Sequence, residues 1–234
     1  MLKYIINALV LLVSLNCTAQ NNDSIIKPKY LDSYGLRIGT DVIKASRNLW
    51  DKNYTGFEVS GDYRLDKKMY FATDFGIENK FKEEDQLSFT TKGMFLRAGI
   101  DYNVYENWLD MNNMIFVGGR YGFATMSQTL NSYNIYETND YFPSQTFYPN
   151  IKSTGLSAHW LEFVAGIKTE VTKNLFLGFT FRMKYLITQK QPEAFENLYI
   201  PGFGRKYSGN IGAGFNYYVS YHIPLFKKTK KESK

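Results

Sequence analysis

Apolar and polar residues alternate along most of this chain, starting at Tyr34. Alternation at every second position predicts a β-strand whose two faces meet different surroundings. Eight such runs can be read, and they cover residues 36–42, 57–64, 69–78, 94–104, 115–124, 160–171, 175–187 and 211–223. Runs of this kind, joined in sequence, predict an all-β protein, an eight-stranded antiparallel up-and-down β-barrel over residues 34–226.

The two faces of these runs differ in charge. One face is mainly aliphatic and aromatic, whereas the other carries seven basic and eight acidic side chains and many glycines. A soluble barrel buries its apolar face and shows its charges to water. A membrane barrel does the reverse, and its strands need about 9–11 residues to cross. Because the apolar face is almost free of charge in all eight runs, we predict a transmembrane barrel.

The connections between the runs alternate in length. Short turns fall at Asp66-Lys67 and at Thr172-Lys173, and residues 106–112 form a connection of modest length. The other four are longer, at residues 44–54, 79–88, 127–157 and 189–207. Outer-membrane barrels have short periplasmic turns and long external loops. The alternation therefore predicts the outer membrane of a Gram-negative-type cell, with both termini periplasmic.

Both ends of the chain read as segments outside the barrel. Residues 1–19 have the charged start, apolar stretch and small final residue of a signal peptide. Cys17, the single cysteine, is either removed with that peptide or lipidated, and both alternatives stay open. Residues 20–33 are predicted to be a flexible lead-in. Residues 227–234 read KKTKKESK and are predicted to be a basic periplasmic tail.

The charged face is expected to fill the barrel interior as a network of ion pairs. An eight-stranded barrel is narrow and is filled by side chains, and unpaired buried charge is costly. Hairpin counting sets Arg37 across from Asp62. The same counting sets Glu162 across from Lys184. The predicted network contains Arg37, Asp62, Asp74, Arg97, Asp101, Arg120, Glu162, Arg182 and Lys184.

Catalytic and ligand-binding chemistry is sparse. The two histidines, His159 just before the sixth run and His222 in the eighth, fall at opposite ends of the barrel and outside any ligand-like cluster. We predict no catalytic residue, no metal and no cofactor, so the protein is not expected to be an enzyme. His159 with Ser157 or Ser153 is the one alternative, as a catalytic set at the external rim. Nucleic-acid binding is not expected, because the excess basic charge is in the tail.

The third long connection is rich in aromatic residues. Loops of more than about 12–15 residues are usually functional or disordered, and disordered segments have few aromatics. This connection either packs on its own barrel or binds a partner. The possible partner-binding residues are Tyr133, Tyr136, Tyr141, Phe142, Phe147 and Tyr148.

The eight runs, the alternating connections and the last strand resemble the OmpA, OmpX and PorT-like class of small outer-membrane barrels. The last strand, residues 210–226, ends in HIPLF and closes on Phe226, although eight residues follow it. The resemblance implies recognition by the barrel-assembly machinery and a surround of outer-membrane lipid. The Ala-Gln cleavage site and the Tyr-rich strands resemble the small barrels of Bacteroidetes.

These observations predict a structural or protein-interaction role in the cell envelope. The aromatic external loops or the basic periplasmic tail would contact other envelope proteins. Two alternatives remain, a narrow channel for small solutes and, with less support, an enzyme at the rim. A channel needs a continuous water path, and the crowded interior disfavours one.

Overall fold

The computed structural model describes residues 31–84, 86–106, 112–135, 145–193 and 195–229, and most of their backbone is strand. One short helix, α1, and a 3₁₀ turn at Ser208–Asn210 interrupt the strands. Among the described residues, no helix is both long enough and apolar enough to cross a membrane. The elements are β1 (Leu31–Asp41), α1 (Val42–Arg47), β2 (Tyr54–Arg64), β3 (Met69–Glu83), β4 (Leu87–Asn103), β5 (Met114–Asn134), β6 (Thr146–Phe147), β7 (Ile151–Thr172), β8 (Leu175–Gln189) and β9 (Ile211–Thr229).

Eight of these strands close into a ring. Each pairs antiparallel with its neighbour in the chain, and β1 pairs with β9 from Leu31 opposite Thr229 to Asp41 opposite Tyr218. The short β6 lies outside the ring, on the end of β5. The predicted eight-stranded antiparallel barrel is therefore confirmed. We call the end with the chain termini and short turns the terminal end, and the opposite end the loop end.

The outer surface of the ring is apolar. On every strand the side chains that point away from the barrel are mostly large and apolar and stand exposed, such as Phe75, Leu96, Phe163 and Phe181. The residues between them point inward and are buried. An apolar belt around a polar interior is the arrangement of a transmembrane β-barrel.

A charge introduced into this belt is expected to destabilise the protein in lipid. Phe163→Arg places a guanidinium near the middle of β7, where burial in hydrocarbon should lower the free energy of unfolding by about 2–4 kcal/mol. Trp50→Arg, in the connection beyond α1, is the matched control and should change it little, because Trp50 lies past the strand ends. Urea titration in phospholipid vesicles measures both. If Phe163→Arg and Trp50→Arg change the free energy of unfolding equally, the apolar belt lies outside the membrane.

The second long connection proves to be a tight hairpin. β3 continues to Glu83 and β4 starts at Leu87, with Glu83 opposite Ser88. The prediction of a long loop over residues 79–88 is therefore wrong. Past the membrane both faces of a strand meet water, so the apolar alternation fades while the backbone ladder continues.

The third long connection is shortened in the same way. β5 runs to Asn134 and β7 starts at Ile151, so that residues 135–150, including β6, are what remains of the predicted 127–157 loop. His159 lies within β7 and not before it. We call the ends of β3, β4, β5 and β7 that project past the ring, together with β6, the platform.

The first connection begins with a helix. The alternation predicted Val42 on the outward face of the first strand, but the strand ends at Asp41 and Val42 starts α1. The Asp41 carboxylate accepts hydrogen bonds from the backbone N–H groups of Ile43 and Lys44, at 2.9 and 3.1 Å. An aspartate cap of this kind favours a helical turn over further strand.

The fourth connection folds back into the barrel. Residues 189–207 were predicted as an external loop, yet Ile200 and Phe203 are buried in the lumen. The backbones of Ile200 and Gly204 bond to each other across a tight turn. Gly202 and Gly204 hold that turn at φ of 75° and 95°, a region that favours glycine. We call residues 199–204 the plug.

The ladder includes three residues more at each terminus than predicted, residues 31–33 in β1 and 227–229 in β9. Several predictions lie outside the described residues. They concern the signal peptide at 1–19 with Cys17, most of the lead-in at 20–33, Tyr136, Tyr141, Phe142, and the tail from 230 to 234.

Candidate functional site: a filled lumen beneath a platform

Asp74 is the centre of an ionic network in the middle of the lumen. Its Oδ2 lies 2.5 Å from Nη1 of Arg120, 3.1 Å from Nη2 of Arg182 and 3.4 Å from Nε of Arg97. Arg120 also pairs with Asp101 at 2.7 Å. The alternation of β3, β4, β5 and β8 places these groups at one level, because each strand contributes an inward residue there.

Two glutamates complete the network. Glu162 accepts from Nη1 of Arg182 at 2.8 Å and from the Trp160 indole N–H at 2.7 Å. Glu58 forms an ion pair with Arg97 and accepts from the Tyr218 hydroxyl. Both carboxylates are fully buried. Since buried charges are tolerated only when paired and hydrogen-bonded, the middle layer is held as a unit.

A second ionic layer lies nearer the terminal end. The ladder sets Arg37 opposite Asp62, the register that hairpin counting predicts, and Nε of Arg37 lies 3.0 Å from Oδ1 of Asp62. Asp62 also binds the Lys168 amine at 2.7 Å. The Arg37 guanidinium lies 4.6 Å from the centre of the Phe176 ring, a cation–π contact. His222, buried, packs its ring against that same Phe176.

Lys184 behaves differently from the prediction. It sits opposite Glu162 in the ladder, but its amine donates to the backbone carbonyls of Gly202 and Phe203, at 2.7 and 3.0 Å. The nine predicted network residues are all buried, and eight of them form ion pairs with one another or with neighbours. Lys184 instead holds the plug in the lumen.

Lys44 is a member of the network that the sequence analysis missed. From α1 its amine reaches Glu58 and Glu78, each at 2.7 Å. Burial alone would lower the pKa of Lys44, but the two carboxylates outweigh it and hold the pKa above its ordinary value. Glu78 in turn accepts from the Tyr199 hydroxyl at 2.7 Å and from the Gly202 N–H at 3.2 Å. Both α1 and the plug are therefore bonded to the Glu78 carboxylate.

The lumen nearer the loop end also contains an apolar cluster, which corrects the expectation of a polar interior sealed by salt bridges alone. Phe95, Trp160 and Phe203 are almost completely buried there, and the Trp160 and Phe203 rings meet edge to face at 5.8 Å. Gly122 makes room for Trp160, since a methyl group at Gly122 would lie 2.1 Å from the indole. Plug and barrel share one hydrophobic core.

Two small voids lie between the inward groups. One between Asp62, Asp74 and Arg182 has a volume of about 10 Å³, and one beside Arg37 and His222 about 20 Å³. Each is about the size of one water molecule. A hydrated ion would have to displace the side chains that line either void.

His159, the rim histidine, contacts two aromatic side chains on the outer surface of the barrel. The Tyr121 hydroxyl lies 2.6 Å from Nδ1 of His159, and the Phe123 ring centre lies 4.8 Å from that of His159. Tyr121 and Phe123 both face away from the lumen. The contacts that the structure shows for His159 are therefore with two aromatic side chains.

Three of the six predicted partner-binding residues are described. Tyr133 and Phe147 stack with ring centres 5.5 Å apart and fix β6 to β5. Tyr148, the next residue, is 72% exposed. The described part of the connection therefore has a packed base and one aromatic ring presented to solvent.

Comparison with known proteins finds one family. The model of a family described as "Domain of unknown function (DUF6048)" matches residues 1–228. No curated protein matches the chain.

Solved structures of two bacterial barrels are distantly similar. The attachment invasion locus protein Ail of Yersinia pestis is 11% identical over 83% of this chain and 99% of its own, with a TM-score of 0.38. Neisserial surface protein A is 12% identical over 82% and 99%, with a TM-score of 0.39. The assignment as a barrel rests on the closed ladder of this chain.

Proposed function

We propose that this protein, which belongs to the DUF6048 family, is a sealed outer-membrane barrel that binds another protein of the cell envelope at its loop end. The observation that carries the proposal is the contrast between a filled lumen and exposed apolar side chains above it. Leu49 is 86% exposed, Trp50 66% and Tyr148 72%, and all lie beyond the apolar belt. Exposed tryptophan and tyrosine are frequent anchors of protein interfaces.

The filled lumen supports a binding role over transport. The ionic layers, the apolar core and the plug lie in series along the barrel, so a solute would have to break several buried ion pairs to pass. Breaking one such pair costs about 3–5 kcal/mol. The proposal includes no catalytic step, and the contacts described for His159 are a hydrogen bond with the Tyr121 hydroxyl and a ring contact with Phe123.

The proposal includes the topology expected from the sequence. Residues 1–19 act as the signal peptide, both termini are periplasmic, and the loop end faces outward. The barrel-assembly machinery inserts the chain into outer-membrane lipid, and the basic tail provides a second, periplasmic contact with envelope proteins. A Bacteroidetes origin and a likeness to PorT-like barrels belong to the same proposal.

Affinity purification of the tagged protein from its native outer membrane, in mild detergent, tests the proposed role. We expect a stoichiometric protein partner in the eluate, identified by mass spectrometry. Leu49→Ser with Trp50→Ser should reduce its recovery at least about ten-fold, as loss of interface anchors does. Lys52→Ser, an exposed neighbour in the same connection, is the matched control and should leave recovery unchanged.

A second variant locates the contact. Deletion of residues 230–234 should reduce recovery less than Leu49→Ser with Trp50→Ser does, because the loop end is the principal contact and the tail the second one. A barrel that elutes alone in repeated purifications would contradict the proposed function.

A further inference from the structure

A cleft opens at the loop end, on the platform. It lies between the tip of the β3–β4 hairpin and the paired ends of β5 and β6, and its volume is about 670 Å³. Pockets that hold small ligands are usually about 300–1,000 Å³. The cleft is separate from the lumen, where the voids are far smaller.

The walls of the cleft are fixed by direct contacts. The backbone N–H of Asn134 donates to the carbonyl of Gln86 at 2.7 Å, which ties β5 to the hairpin tip. The Ser88 and Ser132 hydroxyls lie 2.6 Å apart across β4 and β5. The stacked Tyr133 and Phe147 rings, described above, hold the β6 wall. A ligand would therefore meet a preorganised surface.

The lining is rich in groups that exchange hydrogen bonds with hydroxyls. Carboxylates, side-chain amides and hydroxyls line most of it, and none of the described lining residues is basic. Glu84 is neutralised by Lys82 at 2.5 Å and by Arg205 at 2.9 Å. Glu83 is exposed and adds a second carboxylate, so that the two carboxylates and the two cations leave this side of the cleft without net charge.

One aromatic ring completes the lining. The phenol ring of Tyr148 borders the cleft and is largely exposed, so that one face is open to a ligand. Phe81 adds apolar surface on the hairpin side. An aromatic face provides apolar contact area, while the surrounding amides and carboxylates fix orientation.

We infer that this cleft binds a neutral oligosaccharide. A sugar ring has an apolar C–H face that fits against Tyr148 and a rim of hydroxyls that both donate and accept hydrogen bonds. Sulfated, phosphorylated or sialylated glycans are disfavoured, because none of the described lining residues is basic and the adjoining Lys82 and Arg205 are already paired with Glu84. A basic peptide is disfavoured too, because the Glu84 charge is already paired.

The inference goes beyond the proposed protein partner and does not depend on it. Purified protein can be tested for glycan binding in the absence of any envelope protein. If the protein does not bind glycans, the copurification result still stands. If no protein partner copurifies, the glycan-binding result still stands.

The test is a microarray of neutral, sulfated and sialylated oligosaccharides together with lysine-rich peptides, probed with the full-length protein in detergent micelles. We expect neutral oligosaccharides to bind and the anionic glycans and peptides not to. Titration of the tightest binder with Tyr148→Ala should then show affinity lower by about five- to ten-fold, in the range of a lost aromatic contact.

Tyr207→Ala is the matched control, since Tyr207 is an exposed tyrosine at the same end that does not line the cleft. It should bind like the wild-type protein, as should Tyr148→Phe, which keeps the ring. Failure of every neutral oligosaccharide to bind at millimolar concentration would overturn the inference. Preference for lysine-rich peptides, or equal losses in Tyr148→Ala and Tyr207→Ala, would do the same.

Discussion

Asp74→Asn is expected to lower the free energy of unfolding by about 3–5 kcal/mol, since removal of one partner from a buried ion pair leaves the other uncompensated. Asp74 lies within 3.4 Å of Arg97, Arg120 and Arg182, and all four side chains are almost completely buried. The amide keeps the volume of the side chain but supplies no negative charge. Urea titration in phospholipid vesicles, followed by the loss of heat-modifiable migration on gels, measures the change.

Glu106→Gln is the matched control, because it makes the same carboxylate-to-amide change in an exposed pair. Glu106 lies 3.0 Å from Lys68 at the terminal end, with most of its side chain in water. Such a pair contributes about 0–1 kcal/mol. If Asp74→Asn lowers the free energy of unfolding as little as Glu106→Gln does, the middle layer of the lumen is hydrated and is not a tight ionic core.

Gly202→Ala is expected to expel the plug from the lumen. A methyl group at Gly202 would lie 2.4 Å from Cγ of Phe95, whose ring is packed in the apolar core, and the backbone there has φ of 75°. Overpacking and left-handed strain together should cost about 3–4 kcal/mol. We expect lower stability in urea and tryptic cleavage after Lys190 or Arg205 under conditions in which the wild-type protein resists.

Two further variants separate the collision from the strain. Gly204→Ala has the same left-handed backbone but open space around the new methyl group, so it should cost only about 1–2 kcal/mol and leave the loop protected. Adding Phe95→Leu to Gly202→Ala should recover part of the lost stability, because the two residues are in contact. If Gly202→Ala and Gly204→Ala lower the free energy of unfolding equally, the plug does not pack against Phe95.

The sequence alone predicts the barrel wall well. Within the membrane the two faces of a strand meet hydrocarbon and a packed interior, so alternations such as Phe71, Asp74 and Phe75 define both the strand and its faces. The Arg37–Asp62 register follows from the same pattern, because a slip of one residue would turn each side chain to the opposite face.

The alternation of apolar and polar residues stops predicting strands at the edge of the membrane. Beyond the membrane, the ends of β3 and β5 carry polar residues on both faces, and their strand structure depends on pairing with neighbours that no single run reveals. Lys44 reaches the lumen only because Asp41 caps a helix there. The plug escapes prediction as well, since Pro201-Gly-Phe-Gly204 reads as an ordinary surface turn and its apolar contacts come from distant strands.

Single-channel recording in planar lipid bilayers shows whether the lumen of the barrel is sealed. The full-length protein should be inserted first and its folded, membrane-embedded state verified by protease protection. We expect no conductance steps above the bare bilayer across the usual range of voltage and in high salt. Reproducible steps of constant size from the inserted wild-type protein would contradict this expectation and would make the narrow-channel function the better explanation of this barrel.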